Sequence, residues 1–158
     1  MRKPIKPAPR GKTWVLVADT TRARLFASAQ SAAPLVEIED LLNPYGRLRE
    51  QDLDSDSRGR LVSGRRGGGH RAHVAARSDK PRREQDARAF ARAICARLNS
   101  LQRHGKLAKL YVIAEPDLIG MLRQQMTPPV QTLVAGEFAK NLTRASVCGI
   151  REALPARL

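Results

Sequence analysis

The residues with the most chemistry to offer lie in one short run, SGRRGGGHRAHVAAR, from Ser63 to Arg77. Arginine presents a planar fork of donors that fits a phosphate bidentately, and glycine lets the backbone come close to whatever is held. Arg60, Arg65, Arg66, Arg71 and Arg77, with Gly67, Gly68, Gly69, His70 and His73 among them, therefore read as a contact surface for a polyanion, of which nucleic acid is the commonest. His70 and His73 form H-x-x-H, but three glycines precede them and no third ligand is near, so no metal site is expected. Asp52, Asp54 and Asp56 alternate as in a calcium loop. The positions that would need Gly and Glu are Ser57 and Ser63, so Asp52 and Asp56 read instead as partners for Arg47, Arg49, Arg58 or Arg60.

Covalent chemistry finds less support. Neither Cys95 nor Cys148 has a histidine beside it, and there is no G-x-S-x-G, no G-x-G-x-x-G after a strand and no Walker sequence. No catalytic residue and no cofactor is expected. Both cysteines sit among apolar helical neighbours, where a lone cysteine behaves as a small buried hydrophobe. Without a disulfide framework, a reducing, cytoplasmic setting fits best. The basic N-terminus lacks the apolar run of a signal peptide, and no window reaches the ~20 apolar residues that span a bilayer.

The distribution of charge says more than its total of +14. Residues 1–12 carry five cations and no acid. Residues 58–83 carry nine cations against Asp79 alone, a net of +8, which leaves about +1 for the rest of the chain. A near-neutral body thus bears two basic segments. RNA or the ribosome is the expected partner; a peripheral anionic surface, lipid or polysaccharide, is the alternative of a different class, as in an adhesion or envelope-associated module. Aromatics are only 4% of the chain, so base-stacking platforms and sequence-specific readout are not expected.

The elements that must carry these residues follow from periodicity. Residues 1–12 read as a flexible Pro- and Lys/Arg-rich tail, and 13–158 as a single α/β domain. TWVLVAD (Thr13–Asp19), TTRARLFAS and LVEIEDL read as three strands joined by short connections, hence antiparallel. The period then disappears, and 43–80 reads as a long loop. A helix is expected from Pro81, capped by Ser78 or Asp79 and ended by Gly105. KLYVIAE (Lys109–Glu115) is a fourth strand, and Pro116 opens a short helix whose flanking Glu115 and Asp117 suit its dipole. VQTLVAGEF is a fifth strand, and a last helix is expected with Thr143 as cap. The sum is an α/β sandwich with a mixed sheet.

Six phrases stand in an order and spacing that resemble the bacterial host-attachment protein family: TWVLVADTTRARLF, NPYGRLREQDLDSDSRGR, RAHVAARSD, FARAICARL, LYVIAEPDLIGMLR and VAGEFAKNLT. That family is similar to the middle domain of class-one release factors. The resemblance implies a ribonuclease-H-like three-layer sandwich, with three antiparallel strands and then two parallel ones, and a role on or near the ribosome. It also places Gly68-Gly69-His70 where release factors carry Gly-Gly-Gln. Because glutamine is absent, ribosome-directed peptidyl-tRNA hydrolysis stands as a lesser alternative to a non-enzymatic role.

Overall fold

Two stretches, WVLVA and LYVIA, are apolar at every position, and a strand of that kind must be covered on both faces. They form the centre of the sheet. The computed structural model describes residues 11–29, 33–46 and 71–158, with backbone alone over 71–79. Strand β1 (Lys12–Ala18) pairs antiparallel with β2 (Arg22–Ser28), which pairs antiparallel with β3 (Val36–Leu42). On its other side β1 pairs parallel with β4 (Leu107–Ala114), and β4 with β5 (Val134–Ala139). The order is β3-β2-β1-β4-β5, the mixed α/β sheet expected from the sequence.

One face of the sheet carries Trp14, Leu16, Leu25, Leu110 and Val112 against Phe90, Ile94, Leu98 and Leu122. The other carries Val15, Val17, Phe26, Tyr111 and Ile113 against Leu35, Ile150 and Leu154. Helix α1 (Arg71–Arg103) covers the first face together with α2 (Pro116–Gln125) and the single turn α3 (Pro128–Gln131), and α4 (Val147–Glu152) covers the second. Edge strand β3 is blunted by charge: Asp40, Glu37 and Glu39 are held by Arg22, Arg24 and Arg97, and a register shift interrupts its pairing with β2.

Gly105 ends α1 as expected. At φ +65° it occupies the left-handed region; its N–H reaches the Gln102 carbonyl and the Lys106 N–H reaches that of Leu101, the two bonds of a Schellman turn. The helix start differs from expectation. It lies at Arg71, so residues 71–80 are helical rather than loop, Ser78 and Asp79 are not caps, and Pro81 is inside the helix. A proline inside a helix removes its own N–H and crowds one upstream carbonyl, at a cost of about 3 kcal/mol, which Ala72, Ala75 and Ala76 offset in part. A short helical turn also occupies 44–46.

Three smaller corrections concern the C-terminal third. The fifth strand begins at Val134 rather than Val130, because the prolines of TPPV set φ for a helical turn at Pro128–Gln131. The cap of α4 is Ser146, whose side chain accepts from the Gly149 N–H, and not Thr143. Cys95 is buried and its thiol pushed up to about 11 by desolvation, but Cys148 is exposed on α4.

Candidate functional site

β1 and β4 lie side by side and parallel, but the chain leaves them in opposite directions, from β1 back to β2 and from β4 onward to β5. At such a switch point the loops diverge and a crevice opens beyond the carboxyl ends of the strands. Here it has a volume of about 450 Å³ and is lined by Asp19, Thr20, Thr21, Glu115, Asn141, Thr143, Arg144 and Ala145.

Asp19 organises this end. Its Oδ1 accepts from the Thr21 N–H at 2.7 Å, the Thr21 hydroxyl at 2.6 Å and the Arg22 N–H at 2.9 Å, closing the β1–β2 turn. Its Oδ2 accepts from the Thr143 hydroxyl at 2.5 Å, which ties that turn to the segment after β5. Burial alone would push this carboxyl up. The donors from Thr143, Thr21 and Arg22 outweigh burial and hold it below the ordinary value. Arg24 fastens the same segment from the side. Its Nη1 donates to the Thr143 and Ala145 carbonyls at 3.1 and 2.9 Å, while Nε and Nη2 fork onto Glu37 at 2.9 and 2.7 Å. The guanidinium also stands 4.9 Å from the centre of the Phe26 ring. Glu115 sits at the N-cap of α2 without capping it through its side chain; its Oε1 accepts instead from Asn141 Nδ2 at 3.0 Å.

The same β1–β2 turn anchors residues 43–46, the last described before α1. Asn43 is buried. Its Nδ2 donates to the Thr20 carbonyl at 2.8 Å, its N–H to the Thr21 carbonyl at 2.7 Å, and its Oδ1 accepts from Tyr45 N–H. Gly46 lies so close that a Cβ would stand 3.0 Å from Thr21 Cα and 3.2 Å from the Thr20 carbonyl oxygen. Gly46→Ala is therefore expected to cost about 1–2 kcal/mol in urea denaturation, since the obstruction is backbone and cannot rotate away.

Helix α1 returns at this same end. Ala89 and Phe90 border an apolar cavity with Leu41–Tyr45 at the top of the sheet, whereas Leu101 lies beside Gly11 and Trp14 at the bottom. Among helix residues 80–103 the first core position is Ala87, and the extension Lys80–Gln85 ahead of it is exposed and spans about 9 Å at 1.5 Å per residue. Lys80, Arg82 and Arg83 are exposed on that extension.

Of the residues singled out in the sequence, Arg71, His73 and Arg77 have backbone positions in the first turns of α1, as helix and not as loop. Arg60, Arg65, Arg66, Gly67, Gly68, Gly69 and His70, like Asp52, Asp54 and Asp56, lie outside the described residues. Among the described residues no group of three or more His, Cys, Asp or Glu side chains is placed to hold a metal, and no helix is long and apolar enough to cross a membrane. The sequence reading missed Thr143, Asn43 and Asn141 as organisers of this end; the Asp-Thr-Thr after β1 and the Asn-Pro after β3 were the signals available.

Fold and site define an α/β protein whose crevice, anchored segment 43–46 and exposed Lys80–Gln85 turn share one end of a mixed sheet. Residues 14–154 match the family described as "Protein required for attachment to host cells". The chain belongs to that family, and its description carries a role in host attachment. No curated protein matches the chain.

Proposed function

We propose that this member of the host-attachment family acts as a non-enzymatic RNA-binding protein, with the ribosome as its RNA-bearing partner in the cytoplasm. The contact is made by Arg60, Arg65, Arg66, Gly67, Gly68, Gly69, His70, Arg71, His73 and Arg77. One observation supports the reading: residues 43–46, the last described before the basic segment, lie beside the Thr20–Thr21 turn, and the helix that follows the segment carries exposed Lys80, Arg82 and Arg83 at the same end of the sheet. On the body, the carboxylates of Glu37, Glu39, Asp40 and Glu137 are each paired with an arginine, which offsets part of its negative charge. Arginine and glycine at this density suit phosphates. The exposed Lys80–Gln85 stretch brings no apolar side chain to insert into a membrane, which favours RNA over a lipid surface.

The test is binding of a single-stranded RNA and of purified ribosomes across a salt series. Each neutralised phosphate contributes about 0.7 to the slope of log K on log salt for a single strand, so Arg65→Ser, Arg66→Ser and Arg71→Ser together should lower the slope by about 2 and the affinity more than tenfold. An unchanged slope would remove these arginines from the contact. Binding to anionic vesicles or polysaccharide with no RNA binding would transfer the role to an adhesion surface.

A further inference from the structure

At the end of the sheet opposite the crevice, a cavity of about 520 Å³ opens between β3 and the last turns of α1. Its floor is hydrocarbon from Trp14, Ala27, Ile38 and Leu101. Ile38 is there because of a bulge. In the pairing of β3 with β2, Leu25 stands opposite Glu39 and Phe26 opposite Glu37, so Ile38 is the extra residue. A bulge re-aims a side chain, and this one leaves a large hydrophobe 49% exposed on the cavity wall. The indole N–H of Trp14 already donates to the Lys106 carbonyl at 3.0 Å, so the tryptophan offers the cavity apolar surface alone.

The rim has one sign. Lys12 and Lys106 line it, both exposed, and neither stands in an ion pair among the described residues. Arg97, on the same wall, is held by Glu39 at 2.7 Å and adds little net charge. Among the described residues no hydroxyl, amide or carboxylate side chain lines the cavity. That composition discriminates between ligand classes. A nucleobase or sugar would leave polar groups unpaired against hydrocarbon, and a metal ion would find no acidic ligand. An alkyl chain asks for no hydrogen bond, and an anionic head on it meets two lysines. The chain's own residues 1–10 carry Arg2, Lys3, Lys6 and Arg10 without an acid, the wrong sign for this rim.

We propose that this cavity binds a free medium-chain alkyl carboxylate, its chain against Trp14, Ile38 and Leu101 and its head between Lys12 and Lys106. The volume is that of an ordinary small-molecule site. The proposal does not rest on RNA binding by the basic segment, which leaves the body at the other end of the sheet.

Trp14 is the sole tryptophan of the chain, so its fluorescence reports on the cavity directly. The full chain is titrated without RNA with hexanoate, octanoate and decanoate, and with 1-octanol and octylammonium as controls for charge. Octanoate should change Trp14 emission saturably and shift the amide signals of Ile38, Leu101 and Gly105 in NMR. Each pair of added carbons should tighten binding about three- to tenfold, as their methylenes are partly or fully buried. Replacing both lysines, Lys12→Gln with Lys106→Gln, should weaken octanoate about five- to tenfold and leave octanol unchanged, a split that a general loosening of the fold would not produce. Ile38→Ala, at a half-exposed position, should weaken octanoate and octanol alike, by about threefold. Octylammonium binding as tightly as octanoate would overturn the proposal, as would an unchanged octanoate affinity in the double-lysine variant or no saturable response to decanoate at millimolar concentration. Octanoate binding that appears only after residues 1–10 are removed would assign the cavity to the chain's own N-terminus and overturn it too.

Discussion

Asp19→Ala is expected to destabilise the protein by about 3–4 kcal/mol in urea denaturation, because four donors lose one charged acceptor at a single stroke. Two are backbone N–H groups of the β1–β2 turn, and one is the hydroxyl of buried Thr143. Acid should reproduce part of the effect. Since the folded protein holds this carboxyl below its ordinary value of 3.8, the folded state binds fewer protons than the unfolded state through that range. The stability it contributes is therefore complete above 3.8 and lost as pH falls through the depressed folded value. Asp19→Asn should flatten the stability profile in that acid window while leaving the neutral-pH slope alone. A loss below 0.5 kcal/mol for Asp19→Ala, on the scale typical of surface positions, would mean that the turn and the segment after β5 hold without it.

Arg24→Met should cost about 2–3 kcal/mol, even though methionine preserves apolar contact with Phe26. The change leaves Glu37 and the Thr143 and Ala145 carbonyls without the guanidinium. Lysine should rescue little, since one ammonium on a flexible stem cannot face a carboxylate and two carbonyls in the plane that the fork provides. Asp19 and Arg24 fasten the same segment, so the double substitution should cost less than the sum of the two. Strict additivity in calorimetry or denaturant titration would show that they act on separate pieces of structure.

The contrast between legible and illegible parts follows from what a local sequence pattern encodes. Strands β1 and β4 were plain because a central strand buried on both faces must be apolar throughout, and Gly105 was plain because one residue type meets a left-handed φ cheaply. The beginning of α1 was not, because Pro81 is favoured in a first turn and stands inside a helix only at a cost, so local pattern points to a start that the structure does not have. Val130–Phe138 read as one strand since helix and strand share short apolar runs, and the two prolines turn its first part. The crevice escaped for a different reason. Asp19 and Thr143 are 124 positions apart, and only the sheet order brings them together. The basic segment was conspicuous in composition, yet the placement of residues 43–46 ahead of it depends on Asn43 and Gly46 meeting a turn formed more than twenty residues earlier.

One helix in this protein answers to two different free energies. From Ala87 onward α1 is fastened to the sheet, so its amides should exchange with deuterium only when the whole domain opens. Before Ala87 the backbone has the propensity of its alanines to sustain it and a proline to oppose it, with no packed face over Lys80–Gln85. Its amides should exchange orders of magnitude sooner, and a protease specific for basic residues should cut there while the sheet stays folded. The helical content ahead of Ala87 is therefore expected to respond to salt and temperature, as circular dichroism would follow, without disturbing the core that holds the base of α1.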